Sequence, residues 1–408
     1  MGEAIASDAA QAQDIYFNPW DENFRANPYP HYRPLLAGPP QIIDMGFKFV
    51  LAARYADVRA ILMDHATFTS VQPAGMGFDE QTKLFGDAPT MLGSDPPTHT
   101  RLRQLVSRDF TPRRIRELEP RISEIAKDLI DAAERRGELE VMADLANPLP
   151  VMVISDLLGV PHGEYRQFKN WSDKVVEADN TLPGLPMPDE IKTAFTELRA
   201  YFIEEIARRR KNPGTDLVSA LVAAHDEAEA LSADELLQFV VLLLLAGNET
   251  TTNLIGNGML ALGRNPGSMA ALRAKPALMR GAIEEMLRYD GPVQSTFRTA
   301  AKDTVVGGTP IAAGMGVFVI VAAANRDPAQ FRDPEKFDIT RESNEHLAFG
   351  EGIHFCIGAP LARMEGSIAI GSVLERFPRL RLKDPDAALT YKGSYFLRGL
   401  SRLEMAIK

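Results

Sequence analysis

The chain has 408 residues, 45% of them hydrophobic and 25% charged, as in an ordinary soluble globular protein with ample material for a core. A net charge of −10 disfavours nucleic acid or an anionic membrane as a general partner. The single cysteine excludes an internal disulfide framework and fits a reducing cytoplasm.

Met1 to Gln13 is small and acidic, without the basic start and apolar centre of a signal peptide. The longest apolar run, Phe239 to Gly247, is too short to span a bilayer, so no membrane anchor is expected. No repeat or low-complexity linker divides the chain. The reading is one domain over 27–408, after an extension over 1–26 that is poorly ordered at its start. Asn18-Pro19 and Asn27-Pro28-Tyr29-Pro30 carry extended or turn chemistry. Phe47 to Leu51 reads as a strand and Tyr55 to Met63 as a short helix. Thr67 to Ser94 shows no period, and a loop of that length is usually functional or mobile. From Pro97 to about Ala230 the pattern is mostly helical, broken at Asn147 to Pro150, Leu182 to Pro188 and Asn212 to Gly214. Short strands are expected at Thr304 to Val306 and Gly316 to Val321, with a hairpin-like region after Leu389. The fold class is mainly α, with a large helical part and a small β-rich part.

Ser232-Ala233-Asp234-Glu235 is a capping box, so a helix of roughly 30 residues should run to about Gly263, ~45 Å at ~1.5 Å per residue. It is apolar from Phe239 to Ala246, as a buried helix should be, and then breaks its own rule at Gly247-Asn248-Glu249-Thr250-Thr251-Thr252. Such local conflicts mark either a helix that surfaces or a widened turn beside a ligand. Glu285 and Arg288 stand at i, i+3, where they can pair.

Phe349-Gly350-Glu351-Gly352-Ile353-His354-Phe355-Cys356-Ile357-Gly358 precedes a helical pattern with Pro360 in its first turn. Cys356 is thus placed at a helix N-terminus, where free N–H groups and the helix dipole favour the thiolate. A single thiolate is too few for a zinc site or an iron–sulfur cluster, but enough for one axial bond to a heme iron. A nucleophile served by a His base and an inert buried thiol are the other readings of these residues.

Phe349-Gly350-x-Gly352-x-His354-x-Cys356-x-Gly358 resembles the heme-binding signature of the cytochrome P450 family, and the resemblance runs from about Asn27 to the C-terminus. It implies a triangular, mainly α domain with heme b between the long helix and the Cys356 loop. Phe349, His354, Cys356 and Gly358 then contact heme, with Cys356 on the iron. His99 and Arg103, at i, i+4, together with Arg298 and His354 are the implied propionate partners. Ala246-Gly247-x-Glu249-Thr250-Thr251 resembles the family's oxygen-binding groove, with Glu249 and Thr250 as the catalytic proton-delivery pair. Glu284 to Val293 resembles the buried Glu-x-x-Arg helix, a structural network joined by Arg326. By family position the substrate pocket draws on Leu243, Ala246, Val293, Thr296, Tyr395 and Phe396, with the 182–188 turn in a mobile lid.

The implied activity is monooxygenation of a neutral or lipophilic small molecule by O2, in a cytoplasmic monomer. Electrons from NAD(P)H would come through a ferredoxin reductase and a ferredoxin. Six arginines between Arg101 and Arg116, namely 101, 103, 108, 113, 114 and 116, form a local basic excess suited to an acidic donor, or else pair along their helices. A peroxide-using heme-thiolate enzyme, a non-enzymatic heme sensor or carrier and a cysteine hydrolase using His354 are the alternatives.

Overall fold

The computed structural model describes residues 15–19, 21–44, 48–71, 88–107, 110–177, 186–228, 232–392 and 396–408. Expectations placed on 72–87, Arg108, 182–185 and Tyr395 lie outside them. Helices α1 (Glu22–Ala26) and α2 (Tyr29–Leu36) precede strands β1 (Gln41–Asp44) and β2 (Lys48–Ala52), then α3 (Tyr55–Met63) and β3 (Phe68–Thr69). A helical stretch follows with α4 (Thr98–Ser107), α5 (Pro112–Glu117), α6 (Glu119–Arg136), strand β4 (Leu139–Glu140), α7 (Pro148–Leu158), α8 (Tyr165–Glu177), α9 (Asp189–Lys211), α10 (Leu217–Ala228), α11 (Ala233–Arg264), α12 (Pro266–Ala274) and α13 (Met279–Asp290). The last part holds β5 (Thr296–Ala300), β6 (Thr304–Val306), β7 (Thr309–Ile311), β8 (Gly316–Val319), α14 (Val321–Ala324), α15 (Ala359–Arg376), β9 (Arg381–Leu382) and β10 (Glu404–Ala406).

Helix α11 is the axis of the helical part. Ser232 Oγ accepts from the Glu235 amide while the Glu235 carboxylate accepts from the Ser232 amide, so both halves of the capping box form. The helix runs 32 residues and packs against α7, α8, α9, α13 and α15. It is the one described helix long and apolar enough to cross a bilayer, and it is the buried core of this domain, with Leu236, Val240, Leu244, Ile255, Met259 and Leu262 shut off from solvent.

The β-rich part is a five-stranded sheet in the order β1-β2-β8-β5-β3. Strands β2 and β8 pair in parallel, Val50 opposite Val317, and the other neighbours are antiparallel. One face carries an aromatic core of Phe17, Phe24, Phe49, Phe297 and Phe318. Arg298 on β5 stands opposite Val317, and Thr69 on β3 opposite Thr299, so Arg298 and Ser70 belong to the neighbouring β5 and β3 stretches.

Glu285 and Arg288 on α13 form a fully buried two-point ion pair, both contacts at 2.8 Å. Arg288 also donates to the carbonyls of Asn325, Pro334 and Lys336, so its donors are satisfied. The expected third member is corrected here. Arg341 and Asn344 reach Glu285, each at 3.1 Å, whereas Arg326 donates to the Tyr289 carbonyl and to Glu335. Arg326 instead lies between the rings of Tyr29 and Tyr289, at 3.4 and 4.3 Å from their centroids.

Candidate functional site

Cys356 stands two residues before Gly358, the N-cap of α15, and Pro360 occupies that helix's first turn. Its amide donates to the Phe349 carbonyl at 2.9 Å, which closes the loop on itself. Gly350 and Gly352 both adopt left-handed backbone, φ 70° and 72°. A Cβ at Gly352 would sit 2.7 Å from the Leu62 carbonyl oxygen of α3, so the glycine also permits a close backbone approach. Burial pushes the Cys356 thiol above its ordinary range. The Gly358 and Ala359 amides, Arg103 and Arg363 act the other way, and are outweighed. The amides at the helix start thus lower the thiol pKa as the sequence reading expected, and burial outweighs them.

Four basic side chains converge beside this loop. His99 and Arg103 share one face of α4. The His99 ring lies 4.2 Å from that of His354, and Arg103 donates to the Phe355 carbonyl at 2.6 Å. Arg298 donates to the Phe297 carbonyl at 2.7 Å and to Thr296 Oγ1 at 3.3 Å. Nε2 of His354 shares a hydrogen bond of 3.0 Å with Ser70 Oγ. Both ring nitrogens of His99 are buried without a partner. Burial lowers the pKa of His99, Arg103 and Arg298, and burial with Arg298 and His99 takes His354 down to about 3. Asp95 is the acid whose charge acts on this group, and it accepts from Thr69 Oγ1 and the Ser70 amide. Two arginines and two histidines gathered in one partly buried place, with Asp95 as the acid acting on them, fit a ligand that brings carboxylates of its own, as heme does.

Beneath the loop, Arg363 of α15 stacks on Phe349, 4.5 Å from the ring centroid, and makes two hydrogen bonds to Glu284 at 2.7 and 2.8 Å. His346 Nε2 is 3.1 Å from the same carboxylate. Burial would raise the Glu284 pKa, but these donors bring it down to about 2. Phe349 is thus held by an ion-paired arginine that sequence reasoning missed; the i, i+3 pattern drew attention to the neighbouring Glu285.

On α11, Leu243, Asn248, Glu249, Thr251 and Thr252 are buried, while Leu242, Leu245, Ala246, Gly247 and Thr250 are not. Leu242, Ala246 and Thr250, at i, i+4, i+8, define an open face in an otherwise packed helix. Leu243, named from the sequence, belongs to the core instead. Thr250 Oγ1 donates to the Ala246 carbonyl at 2.8 Å, and Thr252 Oγ1 to the Ala146 carbonyl at 2.8 Å. Glu249 accepts from Lys392 Nζ at 2.8 Å and lies 4.0 Å from Lys169 Nζ. Val293 and Thr296 are the half-open residues of an otherwise buried segment from Gly291 to Ala300. Phe396 stacks on Phe318, so its ring is part of the sheet's aromatic core. Lys169 and Lys392 come from distant elements, and nothing in sequence spacing joins them to Glu249.

Comparison with known proteins agrees with this geometry. A family model described as Cytochrome P450 matches residues 40–398. The cytochrome P450 monooxygenase PikC of Streptomyces venezuelae is 44% identical, over 94% of this chain and 91% of its own. The vitamin D(3) 25-hydroxylase of Pseudonocardia autotrophica is 38% identical, over 99% and 98%. The crystal structure of CYP109E1 from Bacillus megaterium, in complex with testosterone, superposes with a TM-score of 0.86 at 35% identity, covering 95% of this chain and 100% of that one.

Proposed function

The chain belongs to the cytochrome P450 family and is a heme-dependent monooxygenase acting on a small organic molecule; we propose that Cys356, His99, Arg103, Arg298 and His354 hold its heme b, and that a neutral, lipophilic substrate binds over Ala246, Val293 and Thr296. The observation that carries the assignment of the cradle is the convergence of Arg103, Arg298, His354 and His99, the last with both ring nitrogens buried and unpartnered, beside the lone, half-buried Cys356. Bound heme would activate dioxygen, and its thiolate ligand favours O–O cleavage.

The remaining work falls to the protein. Phe349 and its Arg363 support pack under the thiol-bearing loop and limit water there. Arg103, Arg298 and the two histidines orient the anionic edge of the cofactor. Glu249 and Thr250 are the proton-delivery pair, and Thr250 Oγ1 can turn to that task when it leaves the Ala246 carbonyl. The open positions Leu242, Leu245, Ala246 and Val293 are apolar, which favours a substrate without charge. A relative named for vitamin D(3) hydroxylation and a neighbour solved with testosterone support that class. Residues 27–408 act as one domain, in the cytoplasm. The exposed Arg113 and Arg114 of α5 suit an acidic ferredoxin-type donor.

The test is a spectrum of the dithionite-reduced protein under CO, followed by titration with testosterone. A strongly red-shifted Soret band is expected in the unsubstituted protein, and its loss in Cys356→Ser. A colourless protein, or a band that survives Cys356→Ser, would sink the assignment.

A further inference from the structure

Glu249 is one rung of a ladder. Glu249, Asn253 and Asn257 recur every fourth residue on α11, so they share one face. All three are buried, and Glu249 Oε2, Asn253 Oδ1 and Asn257 Oδ1 lack hydrogen-bond partners. Each meets the C-terminal segment at a described residue, Lys392, Gly399 or Arg398. Lys392 donates to Glu249 at 2.8 Å. A Cβ at Gly399 would lie 1.8 Å from Asn253 Oδ1, so that glycine backbone presses directly on the asparagine. Asn257 Nδ2 donates to the Arg398 carbonyl at 3.0 Å. Tyr391 is bridged to Leu400, and the Lys392 amide donates to the Gly399 carbonyl at 2.8 Å. Leu397 pairs with Val293, and Arg398 is fixed by Asp290 at 2.8 Å.

The charged groups facing Glu249 are Lys392 from this segment and Lys169 and Asp173 from α8. Lys169 is already ion-paired with Asp173. Lys392 is therefore the cation in hydrogen-bond contact with Glu249, and it also lines a surface cleft with Arg25, Gln294 and Leu397.

We propose that Lys392 is a positioning residue for the Glu249 carboxylate, and that through it the C-terminal segment seated on the Glu249–Asn253–Asn257 ladder sets the acid's place beside Thr250. This rests on the monooxygenase reading, in which Glu249 supplies protons. Without Lys392 the carboxylate turns to Lys169 under α8, away from Thr250.

The experiment uses the holoenzyme and the variants Lys392→Met, Lys392→Arg, Glu249→Gln and the Lys392→Met/Glu249→Gln pair. The amides of Lys392 and Ser401, bonded to Gly399 and Thr390, report the seat by hydrogen exchange. Lys392→Met should speed their exchange about tenfold, the pair joining a buried carboxylate to a partly exposed lysine. Glu249→Gln should do the same, and the double variant should exceed neither single. Air reoxidation of the dithionite-reduced protein passes one electron to dioxygen, and the product leaves with a proton. It should slow at least about threefold in Lys392→Met and return in Lys392→Arg, which a merely structural loss would not do. Additive exchange effects, or reoxidation unchanged in Lys392→Met, would overturn the proposal. Failure of the monooxygenase reading is separate: it shows as absence of the red-shifted CO band in the unsubstituted protein.

Discussion

Glu365 offers a quantitative test of the helix that carries the cysteine loop. It lies on α15, is 2% exposed, and its Oε2 has no hydrogen-bond partner. Burial alone pushes its pKa well above the model-compound value of 4.5. The folded state then binds a proton that the unfolded chain releases as pH rises past that value. Stability from this group is complete below the unfolded pKa and is lost as pH climbs towards the folded one. The slope is about 1.4 kcal/mol per pH unit within that window. A protein of this length unfolds with an entropy near 0.9 kcal/mol/K, by about 2.1 cal/mol/K per residue, so the slope equals ~1.6 °C in Tm per pH unit. Glu365→Gln keeps the shape and removes the titration. By scanning calorimetry from pH 5 upward, the Gln variant should gain on the native protein by ~1.6 °C for each unit until the folded pKa is reached. A gap independent of pH, or one that shrinks as pH rises, would mean that Glu365 is ionised in the fold, and the burial argument would fail.

Two further outcomes follow from the same geometry. Gly352→Ala adds a Cβ 2.7 Å from a backbone oxygen at a φ of 72°, so it should destabilise the loop by about 1–3 kcal/mol and weaken heme retention, read as heme lost to apomyoglobin over time. Reversing Arg113 and Arg114 to Glu, both more than half exposed and paired only with Glu117 among the contacts of α5, should raise the Kd for a ferredoxin several-fold at low salt and flatten its salt dependence; an unchanged salt slope would remove α5 from the docking face.

The sequence was most legible where one local rule governs an element. The capping box at Ser232 marked the start of α11 because both its hydrogen bonds are local, and Tyr55–Met63 is a helix as its pattern indicated. The cysteine loop was legible because glycine and cysteine are constrained by backbone angle and by chemistry rather than by partners. Partnerships across the chain were not legible. Lys392 is 143 residues from Glu249, and Arg341 is 56 from Glu285, so no spacing announces either pair. Leu243 and Leu242 differ by one helical step of ~100°, enough to exchange core for open face, and neighbouring helices alone fix that phase. The opposing effect of burial on the thiol was not legible for a related reason. Helix position can be read locally, whereas burial is a property of the finished fold.

Satisfaction of buried charge separates the roles of groups that look alike in sequence. Arg288 and Glu285 are both fully buried, and each is matched at nearly every donor and acceptor. Moving them gains nothing, so they act as a fixed joint between α13 and the 325–344 segment. His99, Arg103, Arg298 and His354 are also withdrawn from water, yet the carboxylate among them is already engaged. Their desolvation is offset only when an anion arrives, so the same burial that is costly in the bare fold becomes affinity for a cofactor with acidic edges. Glu249 falls between these cases. One oxygen is matched by Lys392 and the other is not. Its second oxygen is an open acceptor, which the fully matched Glu285 lacks, and an acid that relays protons needs one.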